Sequence, residues 1–265
     1  MRYSSRFFLW APIVLFLVLA AGITLHWWRM AGAYEAQIAA LKGREAVPGV
    51  TLDWSEVAIS GFPFRVDAVF KDFVARGTGP HGPFTWTSEG FALHALTYGR
   101  DRTILEAAGR QRLSWVDAAE RPRRFEFLPG TMRASAVRDA EGLLRFDLDI
   151  QSLSAKDFSI GRAQFHLRRG EDGNAIDMVV QADQGAGALG HFGREVKSLR
   201  LYQTLVRARA YTLLLKGQTS PREAHAAWHD EGGMAAVTRT ELNGKENAMT
   251  PEQAGAITTL LEALY

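Results

Sequence analysis

Residues 144–150 read LRFDLDI, a stretch in which every second side chain is apolar. Neighbouring side chains point to opposite faces of a β-strand, so this stretch has one apolar face and one charged face. Such alternation is typical of a strand that is buried on one side and solvated on the other. The apolar side chains are Leu144, Phe146, Leu148 and Ile150.

The same period of two recurs on both sides of this stretch, with glycine-containing turns such as 169–173 between the runs. No long helical pattern interrupts residues 50–182, and parallel strands would need crossover connections, usually helical. The sequence therefore predicts a mainly β protein of the α+β class with a large, curved antiparallel sheet. The residues predicted to form its apolar face are Phe64, Val66, Phe70, Phe91, Leu93, Leu144, Phe146, Leu148, Phe165 and Met178. This face could close into a core or form a ligand groove.

The N-terminal region contains an uncharged run, FFLWAPIVLFLVLAAGITLHWW, at residues 7–28. As a helix it would be about 30 Å long, which matches the hydrocarbon thickness of a bilayer. Arg2 and Arg6 precede the run and paired tryptophans end it, which favours a transmembrane anchor with residues 1–6 in the cytoplasm. The alternative is a cleaved signal peptide, with small residues at 18–22 as the cleavage site. Both interpretations export the rest of the chain.

The remaining chain divides into a helical stalk at residues 29–47 and a β-rich domain at 48–265. Two matching helix starts, SPRE at 220–223 and TPEQ at 250–253, predict two short C-terminal helices. The second of these would place Ala254, Ile257, Leu261 and Leu264 on one stripe against the sheet. Residues 196–216 fit either a strand or a helix.

The composition limits the chemistry that the protein can perform. The chain has no cysteine, which excludes disulfides and thiolate ligands or nucleophiles. Its 31 basic residues nearly balance its 29 acidic ones, and we expect no nucleic-acid binding from an exported domain. Arg121, Arg123 and Arg124 could contact an anionic surface, but the pattern favours a solvated face.

Three patterns resemble functional motifs, and each has a simpler structural explanation. Residues 185–190 read GAGALG, but a dinucleotide-binding loop must open a helix within a βαβ unit, which the antiparallel pattern argues against. His225 and His229 have the spacing of metal ligands on a helix, yet two histidines do not complete a site. Asp147 and Asp149 share a strand face, as solvated carboxylates commonly do. We therefore expect no catalytic residues, no cofactor and no enzyme activity.

Four short motifs identify a family resemblance: VTLDW at 50–54, SGFPFR at 60–65, AW at 227–228 and GG at 232–233. Together with the N-terminal anchor, they resemble the bacterial family DUF2125. The resemblance implies a single-pass inner-membrane protein with its main domain in the periplasm. More distantly, the corner is similar to that of AsmA-like envelope proteins, which implies that the domain binds lipid or another apolar ligand. The alternative is a scaffold or assembly factor for another envelope protein.

Gly61, Phe62, Pro63, Phe64 and Arg65 form the motif that carries most of this resemblance. Glycine permits an unusual backbone angle, and proline favours an extended conformation in the residue before it. We interpret the motif as a structural corner, with Phe64 as the first inward-facing residue of the following strand.

Overall fold

The computed structural model describes residues 5–96 and 101–261, and it shows one long helix, a sheet of fourteen strands and short C-terminal helices. The helices are α1 (Ser5–Leu41), α2 (Arg209–Leu215), α3 (Pro221–Asp230) and α4 (Pro251–Leu261), with a 3₁₀ turn at Gly190–Phe192. The strands are β1 (Glu45–Val47), β2 (Val50–Asp53), β3 (Glu56–Ser60), β4 (Arg65–Gly79), β5 (Gly82–Leu96), β6 (Arg102–Val116), β7 (Pro122–Leu128), β8 (Thr131–Asp139), β9 (Gly142–Ala155), β10 (Phe158–Arg169), β11 (Ala175–Gly187), β12 (Glu195–Val206), β13 (Met234–Leu242) and β14 (Lys245–Glu246).

All strand pairs in this sheet are antiparallel, as the alternating pattern predicts. Strands that follow each other in the chain mostly lie side by side. Two positions in this meander are filled by pairs of short strands. β2 and β3 both pair with β4, and β7 and β8 both pair with β6 and β9.

A line of irregular residues crosses the sheet from β4 to β11. Asp72, Gly109, Ser152 and Gln184 lie within long strands and have positive φ. At Asp72, Ser152 and Gln184 the regular pairing skips one position on both strands without a change of register, whereas at Gly109 the register shifts by one residue, as in a β-bulge. A bulge bends a strand and increases its local twist, so this line of irregular residues favours a curved sheet.

The inner face of the curved sheet is apolar and is covered unequally. At one end, Ile38 of α1 packs in a cluster with Trp54 and Phe70. At the other end, Tyr211 of α2 and Trp228 of α3 belong to a buried cluster with Leu201. Between these two covered regions lie β9, β10 and β11. The fold therefore has helices over both ends of the inner face and a less covered centre.

The predicted anchor and stalk form one continuous helix, α1, whose described part is long and apolar enough to cross a membrane. The helix ends at Leu41, whereas the predicted stalk extends to residue 47. Gly43 adopts φ +68°, which stops the helix, and residues Glu45–Val47 form β1 instead.

The region that fits either a strand or a helix contains both. β12 ends at Val206, Arg207 has φ +55°, and α2 begins at Arg209. This short helix adds to the two that the capping patterns predict. A left-handed residue between two elements changes the chain direction without a proline or glycine, so the break is hard to see in the sequence.

Both predicted helix starts are confirmed. The Ser220 hydroxyl accepts a hydrogen bond from the Glu223 amide, and the Glu223 carboxylate accepts one from the Ser220 amide. Thr250 and Gln253 make the same reciprocal pair at α4. In α4, Ala254 is half-buried and Ile257 is buried against the sheet, while the side chains of Leu261 and Leu264 lie outside the described residues.

The Gly61–Arg65 corner differs from its prediction in one respect. Residues 62–64 form a turn with a cis Phe62–Pro63 bond, and β4 begins only at Arg65. Phe64 is 61% exposed and is not the first inward residue, so that prediction is wrong. The inward face begins at Val66, because the turn takes up one more residue than the alternating pattern suggests.

Candidate functional site

The uncovered centre of the inner face is an apolar trough of about 520 Å³. Its volume lies within the range of sites that bind small molecules, and its lining is almost entirely apolar. Strands β9, β10 and β11 form the floor, with contributions from β7 and α4. The lining residues are Phe125, Phe146, Leu148, Ile150, Ile160, Ala163, Gln164, Phe165, Leu167, Met178, Val180, Gln181, Ala182 and Ile257.

A second apolar recess of about 350 Å³ adjoins this trough. The two share four lining residues: Ile160, Val180, Ala182 and Ile257. The far wall of the recess is formed by the loop after β11 and by the start of β12. The two recesses therefore form a continuous apolar surface along the inside of the sheet.

Side-chain size explains where the trough lies. Ala163 in β10 and Ala182 in β11 are direct cross-strand partners, so two small side chains face each other at the centre of the floor. Phe146 and Phe165 stand beside them, with ring centres 6.4 Å apart. The phenylalanine side chains extend farther from the sheet than the alanine side chains. They therefore form walls around a depression whose floor is the alanine pair.

The last helix, α4, forms part of the trough's wall. Ile257 is 7% exposed and lines both recesses. The side-chain amide of Gln253 donates a hydrogen bond to the His191 carbonyl at 3.0 Å, which holds the start of α4 near the 3₁₀ turn.

The structure divides the predicted apolar residues into two groups. Phe146, Leu148, Phe165 and Met178 line the trough, and Leu144 is half-buried farther along β9. Val66, Phe70, Phe91 and Leu93 lie at the opposite end of the inner face, where Phe70, Phe91 and Leu93 belong to the cluster that contains Ile38 of α1. One alternating pattern therefore produces both a closed core and an open trough, depending on which helix covers it.

Asp147 and Asp149 of β9 lie on the outer face of the sheet. Burial opposes ionisation of Asp147, but hydrogen bonds from His166 and Arg145 outweigh it and lower the pKa. A hydrogen bond from Arg162, 2.6 Å away, lowers the pKa of Asp149. Both carboxylates are therefore ionised acceptors in ion pairs, which suits a structural role.

The arginine cluster also makes ion pairs within the chain. Arg121 and Arg123 contact Asp117, whose pKa falls to about 2, chiefly through the Arg121 backbone amide. Arg124 contacts Glu126, whose pKa falls to about 2 through Arg110 and Arg112. These pairs favour the interpretation of a solvated, charge-balanced strand face.

His225 and His229, the two candidate metal ligands, lie beside a third histidine, His81. His225 lies 4.5 Å from His229 and 5.5 Å from His81 between ring centres, and the Tyr211 hydroxyl is 2.8 Å from its Nδ1. Burial, followed by repulsion from the other two rings, lowers the pKa of His225 to about 4. Among the described residues, no group of three potential metal ligands has a suitable geometry. His81 lies in the turn between β4 and β5, far from α3 in the sequence. Local residue spacing therefore does not indicate that it lies beside His225.

The glycine-rich stretch at 185–190 does not open a long helix. Gly185 and Gly187 lie in β11, and Gly190 begins the three-residue 3₁₀ turn. A Cβ on Gly185 would approach Leu189 to 3.1 Å, so glycine here allows close packing at the second recess. The loop lines the apolar recess rather than a phosphate site.

A family model described as "Uncharacterized protein conserved in bacteria (DUF2125)" matches residues 27–258. The chain belongs to this family. The match includes the end of the anchor helix, the Gly61–Arg65 corner and every strand of the sheet, so the family resemblance is confirmed over most of the chain. No curated protein matches the chain.

Proposed function

We propose that this DUF2125 protein is a membrane-anchored module that binds a lipid or another apolar ligand in the trough between β9 and β11. The observation that carries the proposal is the open apolar trough lined by Phe146, Phe165 and Val180. Apolar surface that is open to water is unfavourable, and an apolar recess of this volume is typical of a ligand-binding site. The role is binding, and the proposal assigns no reaction to the protein.

The proposed location is the inner membrane, with the N-terminus in the cytoplasm and the sheet in the periplasm, as part of cell-envelope maintenance. The apolar helix α1 supports the membrane anchor, and Arg2 and Arg6, which precede its uncharged run in the sequence, support this orientation. A tether would keep the trough near the bilayer, from which an apolar ligand could be taken up.

Site-specific photocrosslinking tests the proposal in intact cells. A photoreactive phenylalanine analogue at Val180 would stand in the trough, whereas the same analogue at Ala186 would stand on the outer face of the same strand. We expect lipid adducts at position 180 and few at position 186, measured by mass spectrometry of the purified full-length chain. Equal labelling at both positions would contradict the proposal.

A pair of tryptophan substitutions provides the matched control. Ala182→Trp should fill the floor of the trough and abolish lipid adducts at position 180. Ala186→Trp adds the same side chain to the exposed outer face of β11 and should leave the adducts unchanged. Circular dichroism of both variants would establish that the sheet is folded. Persistent adducts in a folded Ala182→Trp protein would show that the ligand does not occupy the trough.

The second candidate function is a non-catalytic scaffold that pairs with another envelope protein. The observation in its favour is the outer edge of β13, where β14 pairs only with residues 241 and 242. On that strand Met234 is 60% exposed and Val237 is 42% exposed. An exposed strand edge of this kind can accept a strand from a partner.

The same crosslinking approach distinguishes the two functions. A scaffold that uses this edge should give protein adducts of defined mass when the photoreactive analogue replaces Val237. Lipid adducts at Val180 without protein adducts at Val237 would favour ligand binding. The reverse result would favour the scaffold.

A further inference from the structure

The Gly61–Arg65 corner lies against α1 at the end of its uncharged run. The indole Nε1 of Trp27 donates a hydrogen bond to the Arg65 carbonyl at 2.8 Å. The rings of Trp27 and Phe62 meet edge to face, with centres 5.5 Å apart. Because Trp27 and Trp28 end the uncharged run of α1, these contacts place the corner level with the C-terminal end of that run.

Exposed aromatic side chains are concentrated at this level. Of the Phe and Trp side chains that the structure describes, five are highly exposed, and two of them, Trp10 and Phe16, lie earlier in the uncharged run of α1. The other three are Trp28, Phe62 and Phe64, which are 70%, 54% and 61% exposed. Farther along β4, Val66 and Phe70 are at most 4% exposed, so the chain buries its apolar residues immediately after the corner.

The surroundings of the corner also suit a bilayer interface. Tryptophan rings accumulate at the level of the lipid headgroups, and cationic side chains beside them can contact lipid phosphates. Arg29 and Arg65 are both exposed next to this aromatic group. Arg65 is also paired with Asp67 at 2.8 Å, and 60% of its side chain remains exposed.

We propose that Phe62 and Phe64 insert into the lipid headgroup region beside α1 and form a second membrane contact. The partner is the phospholipid bilayer surface that surrounds the anchor. Two contacts, the helix and the corner, would hold the start of β4 at the membrane and direct the sheet away from it. This inference rests on the proposed membrane anchoring and does not depend on what the trough binds.

Single-cysteine labelling of the full-length chain tests this contact, since the natural chain has no cysteine. An environment-sensitive fluorophore at Ser60→Cys would report on the corner while both phenylalanines remain. The labelled chain would be placed in nanodiscs of phosphatidylethanolamine and phosphatidylglycerol that carry spin-labelled lipids. Leu17→Cys in the span and Ala186→Cys on the outer face of the sheet provide the two references.

We expect spin-labelled lipid to quench the fluorophore at positions 60 and 17 but not at position 186. If position 60 behaves like position 186 while position 17 is quenched, the second contact is absent and the anchor remains. If position 17 is not quenched either, the membrane anchoring itself is wrong. The two failures can therefore be told apart.

Substitutions at the corner then test which property of the side chains matters. Phe62→Ser with Phe64→Ser should abolish quenching at position 60. The matched control Leu128→Ser, which removes a 52% exposed side chain elsewhere, should leave quenching unchanged. Leucine at both positions keeps the apolar surface and should retain quenching. Equal loss in the folded leucine variant would overturn the proposal, because quenching would then depend on the aromatic turn rather than on apolar insertion.

Discussion

Single small residues determine the shape of the inner face. Ala163 and Ala182 face each other across β10 and β11 and lower the floor of the trough. Gly61 determines the corner at the other end of the molecule. It has φ +100°, and a Cβ there would lie 2.8 Å from the Arg65 carbonyl oxygen and 2.9 Å from an Asp67 carboxylate oxygen. The glycine therefore provides both an unusual backbone angle and the space for close packing.

Gly61→Ala should lower the free energy of unfolding by about 1–3 kcal/mol, the usual cost of strained backbone. Gly244→Ala is the matched control, because Gly244 also has a positive φ but no neighbouring atom within 4 Å of the added Cβ. It should cost less than Gly61→Ala. Urea unfolding of the purified chain measures both values, and an equal cost would show that the contacts with Arg65 and Asp67 do not matter.

The half-buried ring of His225 should make stability depend on pH. Its pKa in the folded protein is about 4, below the ordinary value of 6.5, so the unfolded chain binds the proton more readily. The contribution of His225 to the free energy of unfolding is therefore fully present above pH 6.5 and is lost as the pH falls towards 4. Thermal unfolding across this range should show a falling midpoint, and His225→Gln should make the decline shallower.

His229→Gln is the control for this pH dependence. His229 is exposed, and its charge acts on His225 as the second cause of the lowered pKa, after burial. Its removal should leave most of the decline between pH 6.5 and 4 in place. A decline that disappears in His229→Gln and persists in His225→Gln would contradict the assignment.

At the scale of the elements, the helices with capping motifs were predictable, whereas α2 was not. The capping residues of α3 and α4 act within a few residues of each other, so their signal is local. The position of α2 depends on a left-handed residue, Arg207, that carries no such signal. The motif of Trp228 with Gly233 also has a structural explanation. A Cβ on Gly233 would collide with the indole ring, whose Nε1 donates to the Val206 carbonyl at 3.0 Å.

Ser220→Ala should lower the free energy of unfolding by about 1 kcal/mol, because the first turn of α3 loses its capping oxygen. Ser220→Thr is the matched control, since threonine keeps the hydroxyl group and should retain most of the stability. Urea unfolding of the purified variants, followed by circular dichroism, measures both values. An equal loss in both variants would mean that the site depends on side-chain size and not on capping.

At the scale of the whole molecule, the alternating pattern was sufficient to predict the sheet, its antiparallel pairing and its apolar face. It could not predict which part of that face is open, because Phe70 and Phe165 have the same pattern and differ only in what covers them. The sequence also did not indicate the line of irregular residues from Asp72 to Gln184, since non-glycine residues occupy several of its positions. Coverage and curvature depend on contacts between distant elements, which a local period does not contain.

The attachment of α1 to the sheet is the contact that should fix the body relative to its anchor. Ile38 is 8% exposed in a cluster with Trp54 and Phe70, about three helical turns beyond the Trp27 contact with the corner. Two contacts on one helix prevent rotation about either, so Ile38→Asp should free the sheet to pivot. Spin labels on cysteines at Glu35 and Arg168 would measure this, since both positions are exposed.

In the parent chain we expect one narrow distribution of distances between these labels, and in Ile38→Asp a broad one. Leu41→Ser is the control, because Leu41 lies on the same helix and is 37% exposed, so its replacement should leave the distribution narrow. A narrow distribution in Ile38→Asp would mean that the Trp27 contact alone holds the helix. The Gly61–Arg65 corner would then be both the proposed lipid contact and the joint that orients the trough above the membrane.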